Sequence, residues 1–251
     1  MMSTMFLSET VNPDPDERPP LGSAMWMQYQ LDTSATLVEV IASETEVRIM
    51  DTVDHYLVCD RQADCAVIEF LDGDMVVHSN ESLPVPALTN YLYTESIDTW
   101  QTDSSAQLRY DSLRRFVLAA DRVTGFAADS TESAVEYAFE TLAEVASEEY
   151  TQWSIVFDPE NSQLHFRSIT NPEIQFLSFD DLDFSCSTPT LMLPVFTEGL
   201  SGDISDDLFD YDHDLSLGAT LRFLEQYDRV DVPPEMVEML VAHLERFPCM
   251  D

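Results

Sequence analysis

Apolar positions cluster between residues 55 and 78 in three runs of strand length. HYLVCD (55–60) and CAVIEF (65–70) are split by the polar break RQAD (61–64), and MVVH (75–78) follows Asp72-Gly73. An Asp-Gly pair supplies the positive φ angles that a tight hairpin turn demands, so the pattern predicts two strands and a third returning along the second. A second hairpin is predicted over 152–157 and 163–167, turning at DPEN (158–161). Helical spacing appears elsewhere. From 133 to 149, Val135, Ala138, Phe139, Leu142, Val145 and Ala146 recur at i, i+3, i+4, i+7, a stripe that predicts one buried face.

Further helices are expected over 24–31, 36–42 and 105–122. Asp32, Thr33 or Ser34 stands ready to cap the second of these. The last helix is entered through Pro233-Pro234 and carries Val237, Leu240, Val241 and Leu244 on one face. NPDPDERPP (12–20) is too rich in proline for a helix or central strand, so 1–22 reads as an extended connector ahead of a single domain over 23–251. Strands and helices in this mixture predict an α+β fold, an antiparallel sheet covered by helices.

Charge changes the picture more than length does. The 251 residues, 45% of them hydrophobic, suffice for one sizeable core, but 48 acids against 11 bases give a net charge of −37, and every base is arginine. Such a surface repels polyanions and anionic lipid, which argues against nucleic-acid and membrane partners. Aromatic residues spread along the chain argue equally against a disordered acidic tail. Glu136, Glu140, Glu144 and Glu148 stand four apart on the predicted helix, where neighbouring like charges repel by a few tenths of a kcal/mol in dilute buffer. Molar salt shortens the Debye length to about 3 Å and screens that repulsion, so a halophilic source is the expectation.

Four cysteines lack the paired short spacing of zinc ligands. Cys59, Cys65, Cys186 and Cys249 are expected to be small core residues, with a Cys186–Cys249 bridge as the alternative in an oxidising compartment. The first residues have neither a basic region nor a long apolar run, so no signal peptide is read and the chain as written is cytoplasmic, although a parent enzyme could be exported. Acids interrupt every apolar run, so no transmembrane helix is predicted.

The segment DRQADCAVIEFLDGDMVVHSNESLPVPALTN (60–90) resembles the choloylglycine hydrolase and penicillin V acylase family of linear-amide C–N hydrolases. MWMQYQLDTSATLVEVI (25–41) is similar to that family's mid-domain helix pair, DSLRRFVLAA (111–120) to its arginine-bearing helix, and TQWSIVFDPENSQLHFRSI (151–169) to its late hairpin. The resemblance implies the αββα sandwich of N-terminal-nucleophile hydrolases. It also implies a cysteine nucleophile whose own α-amine accepts the thiol proton. Met1-Met2 open this chain instead, and LSETVNPDPDERPPLG (7–22) looks like a mid-domain loop, so the expectation is an incomplete sandwich, a C-terminal portion without the nucleophile. An internal Cys59 or Cys65 has no free amine and cannot replace it.

Two family positions carry over. Asn90, in ALTN, matches the asparagine whose NH₂ faces the developing oxyanion, and Arg115, in LRRFV, matches the arginine placed near the nucleophile, with Arg114 as the alternative register. Ordinary readings are a turn-capping asparagine and a surface ion pair. The resemblance implies no cofactor, and as partners a small-molecule amide substrate if the chain is completed, the missing N-terminal part, or a second copy. Asp210, Asp212 and Asp214 imitate a calcium loop, but Leu215 and Leu221 occupy the positions that need glycine and glutamate, so no metal site is read. His55, His78 and His165 are expected at core or edge positions, and no G-x-S-x-G elbow occurs. The leading function is therefore linear-amide hydrolysis in a chain inactive alone. A non-catalytic remnant that binds ligand and an unrelated acidic interaction protein are the alternatives.

Overall fold

The computed structural model describes residues 1–102, 110–127, 131–147, 149–226 and 232–244. The chain divides into two compact units, Met1–Thr151 and Gln152–Asp251.

The first unit is built on the sheet β1(Met2–Phe6), β4(Asp54–Cys59), β5(Cys65–Leu71) and β6(Asp74–Ser79), every neighbour antiparallel. Short β2(Pro20–Gly22) and β3(Arg48–Met50) pair separately. β1 lies inside the stretch read as a connector. Its five residues contain no proline, so none lacks an N–H that the ladder with β4 could use, and irregular chain begins only at Leu7.

β5 is the central strand and buries both faces. Ala66, Ile68 and Phe70 join Trp26, Leu37, Val40, Ile49 and Tyr56 in one core, beneath α1(Ser23–Thr33) and α2(Leu37–Ala42). Val67 points the other way, into a second core with Val85, Leu88, Tyr93, Phe116 and Ala120 from the following loop, α3(Tyr93–Thr102) and α4(Asp111–Gly125). The period of two in a strand separates these sets. Thr36 rather than a residue of 32–34 caps α2, accepting from the Glu39 N–H while Glu39 reaches back in a capping box. The turn at Asp72 (φ 53°) and Gly73 (φ 90°) has the left-handed pair that the sequence predicts.

α5(Thr131–Glu144) carries the acidic face, but not as an unpaired row. Arg122 on α4 lies 3.0 Å from Glu140 and 3.8 Å from Glu144, and its guanidinium sits 4.1 Å over the Tyr137 ring. The expectation overlooked an arginine from a neighbouring helix. Glu148 lies outside the described residues.

In the second unit, β7(Trp153–Asp158), β8(Gln163–Ser168) and β9(Gln175–Ser178) are antiparallel, and β11(Gly202–Asp203) adds in parallel to β9. The short strands β10(Leu191–Met192) and β12(Phe209–Asp210) pair nearby, and α6(His213–Gln226) and α7(Pro234–Leu244) end the unit. Val237 and Val241 are buried on α7. The Leu240 and Leu244 side chains lie outside the described residues. An apolar cleft of about 670 Å³ opens on this sheet, lined among others by Ile155, Leu164, Phe166 and Leu177.

Cys59 and Cys65 face each other across β4 and β5 and form a disulfide, with Cα atoms 4.1 Å apart. They are not separate core thiols. The loop between them returns the two strands in a register that makes these residues direct partners, which the sequence spacing alone leaves open. Cys186 is also disulfide-bonded, whereas Cys249 lies outside the described residues.

Candidate functional site

Asn90 lies in the loop between β6 and α3, and Arg115 lies one turn into α4. The fold brings them together: Arg115 Nη2 donates to Asn90 Oδ1 at 3.2 Å. Arg115 Nε donates to Asp111 at 2.8 Å, an i, i+4 contact that sets the guanidinium along its helix. Arg114 also pairs with Asp111 but is the more exposed of the two arginines, 47% against 20%, so Arg115 is the one positioned beside Asn90. The Arg114 hydrogen bond, joined by that of Arg115, holds the Asp111 carboxyl below its usual value.

Because guanidinium nitrogen can only donate, the Asn90 carbonyl must face Arg115 and the NH₂ must face away. That NH₂ donates to the Phe6 carbonyl of β1 at 3.2 Å. An asparagine amide carries two N–H donors, so one remains for another acceptor.

The loop is anchored from below. The Thr89 carbonyl accepts from the Tyr91 N–H at 2.8 Å and stands 2.8 Å from His55 Nε2. Thr89 Oγ1 donates to the Ser112 carbonyl at the start of α4. His55 Nδ1 is 3.0 Å from Glu69 Oε1, and Glu69 Oε2 is 3.1 Å from His78 Nε2. The Tyr93 N–H, in the first turn of α3, also donates to Glu69, at 2.9 Å.

His55 and Glu69 have no exposure at all. Burial pushes the Glu69 carboxyl up, but the hydrogen bonds from His55, His78 and the Tyr93 N–H outweigh it and hold the group at about 2. Burial also raises the neighbouring Tyr93 hydroxyl, here unopposed enough to reach about 12 despite its hydrogen bond to the Val85 carbonyl.

Sequence reasoning placed His55 and His78 as core or edge residues and did not connect them to Glu69. A signal was present. Glu69 is an acid inside an otherwise apolar strand, and the register of β4, β5 and β6 puts His55, Glu69 and His78 on one face, toward Asn90's loop.

Cys59 and Cys65 are removed from nucleophilic chemistry by their disulfide. His165 belongs to β8 of the second unit, where burial lowers its imidazole despite Asp158 nearby. Among the described residues, no group of three or more His, Cys, Asp or Glu side chains is arranged to hold a metal ion, and no helix is long and apolar enough to cross a membrane.

Comparison of the sequence with protein-family models and with curated proteins finds no match. Solved structures do match. Penicillin V acylase from Agrobacterium tumefaciens superposes with a TM-score of 0.69 at 22% identity, over 84% of this chain and 74% of that one. Two variants of conjugated bile acid hydrolase from Clostridium perfringens superpose with TM-scores of 0.58 and 0.59 at 12% identity, over the same shares. At these identities the likeness concerns architecture: the chain shares with those enzymes an α+β fold with antiparallel sheets.

Proposed function

We propose that this chain is the C-terminal portion of a linear-amide hydrolase of the acylase type, and that it is inactive alone because the cysteine nucleophile belongs to a segment it does not contain. The observation that carries this reading is the contact between Asn90 and Arg115. Two residues named from separate sequence segments meet at 3.2 Å, with the amide oriented by a donor that turns its NH₂ away, toward the Phe6 carbonyl, with one N–H left over.

In this reading, thiolate attack on the substrate carbonyl places negative charge on oxygen, and the free N–H of Asn90 donates to it. A preorganised donor of this kind contributes roughly 3–4 kcal/mol to the transition state. Arg115 acts through Asn90 and through its charge, which favours thiolate over thiol. The acyl group is released by water after the amine leaves. The substrate class is a small-molecule linear amide, and no cofactor is required.

A non-catalytic remnant is the second reading. It is favoured by the contact of the Asn90 NH₂ with Phe6, which already occupies one donor within the chain.

The test is complementation. The chain is assayed against phenoxyacetyl and fatty-acyl amides alone and after supplying, fused or as a second chain, an N-terminal segment beginning with cysteine. Turnover only after complementation supports the first reading. Turnover by the chain alone overturns it, and none in either arm favours the remnant.

A further inference from the structure

The buried row His55–Glu69–His78 lies beneath Asn90's loop. Two of its outward contacts end on backbone that flanks Asn90. His55 reaches the carbonyl of Thr89, one residue before it, and Glu69 takes the N–H of Tyr93, three residues after it.

We infer that His55, Glu69 and His78 are positioning residues that clamp both ends of the Thr89–Tyr93 segment and so fix where Asn90 presents its amide. A carbonyl oxygen only accepts, so His55 Nε2 must carry a proton. With Glu69 ionised, Nδ1 faces a second acceptor and must carry a proton too. The ring makes both contacts only as an imidazolium, buried against the carboxylate. His78 supplies the third donor to Glu69, after His55 and the Tyr93 N–H, and fills the other carboxylate oxygen.

A hydrophobic side chain at Glu69 would pack, but it would leave the Tyr93 N–H without its partner and strip His55 of the group that orients it. Pairing buried charges costs desolvation, and retaining such a pair is explained when it fixes a geometry rather than when it adds stability. Here the geometry fixed is that of a single loop.

This inference rests on Asn90 being an oxyanion donor, yet its first test does not. In the full chain labelled with ¹⁵N, His55 is expected to show two protonated ring nitrogens at pH 7, and a neutral tautomer overturns the clamp. Glu69→Gln, in a variant shown folded by circular dichroism, is expected to shift the Asn90 NH₂ resonances. Unchanged resonances overturn it.

The second test uses the complemented enzyme. His55→Gln is expected to lower kcat about ten- to hundredfold with KM within twofold, the scale of loss for a catalytic group misplaced by about 1 Å. The same substitution in an Asn90→Ala background should then cost little more. An equal loss in both backgrounds overturns the positioning role. If Asn90→Ala itself leaves kcat intact, the oxyanion reading fails, and the spectra still decide the clamp.

Discussion

Arg115 and Asn90 are joined at 3.2 Å across 25 residues of sequence, tying the first turns of α4 to the loop that precedes α3. Arg115 also holds Asp111, so the guanidinium is fixed at two edges. The contact decides the orientation of an amide whose two ends are otherwise nearly equivalent in shape. It turns the Asn90 amide so that its donors face Phe6 and the space beyond.

Asn90→Ala and Arg115→Ala are expected to fail differently in the complemented enzyme. Asn90→Ala should lower kcat by about 10²-fold or more with little change in KM, because the donor acts on charge that exists only in the transition state. Arg115→Ala should lower the rate less and move the acid limb of the pH–rate profile upward, as the thiol loses a nearby positive charge. Steady-state kinetics over pH 5–9 separates the two. An Asn90→Ala rate within twofold of the parent removes the oxyanion assignment.

Glu69 predicts acid sensitivity with a defined sign. Its carboxyl is held at about 2 in the folded chain against an ordinary 4.5, so the folded state binds its proton more weakly than the unfolded state. Stability from this group is fully present above pH 4.5 and is lost as pH falls from there toward 2, by up to about 3 kcal/mol. Urea melts between pH 6 and pH 2.5 should show Glu69→Gln destabilised at pH 6 and much less different from the parent at pH 2.5. A constant gap across that range contradicts the assignment.

The Cys59–Cys65 bridge closes a short loop, with a sequence separation of 6. Chain entropy gives a bridge of that span about 2 kcal/mol. Cys65→Ser should therefore lower the urea midpoint without changing the slope, and reductant, which also opens the bridge at Cys186, should lower the parent by more than it lowers the variant. Equal shifts in parent and variant would show that the Cys59–Cys65 bridge contributes nothing.

Gly73 tests backbone conformation apart from packing. At φ 90° it sits in a region costly for any side chain, while a Cβ built there meets the Asn12 carbonyl only at 3.8 Å, ordinary contact distance. Gly73→Ala should cost about 1 kcal/mol through conformation alone. Denaturant melts of the two chains measure it, and a stabilised variant would show that the turn has relaxed.

The strands around this turn were legible in the sequence because alternation and the Asp-Gly pair act locally. α3 was not. Its only fully buried residues are Tyr93, Ser96 and Thr99, two of them polar, so its apolar stripe is too thin to show as a helical period. The disulfide was missed for a related reason, since opposition of Cys59 and Cys65 depends on strand register. Asn90 and Arg115 were picked out through resemblance, but their contact is a property of the fold. The row His55–Glu69–His78 needed both levels: the misplaced acid is visible in the sequence, and its partners appear only once three strands are paired.

Salt provides the last prediction, and the structure sharpens its sign. A net charge of −37 with 11 bases leaves most acids without a cationic partner, and screening their repulsion should stabilise the folded chain. Arg122 opposes this locally, since its ion pairs with Glu140 and Glu144 weaken as ions are added. Those glutamates are exposed, so the pairs are weak and screened by solvent, and repulsion summed over the remaining acids outweighs them. Thermal melts in KCl from 0.1 M to 3 M should therefore show a rising midpoint. Arg122→Ala should be most destabilising at low salt, where Glu140 and Glu144 repel each other without it, and should approach the parent at high salt. A parent midpoint that is flat or falling over that range would remove the case for a protein adapted to concentrated salt.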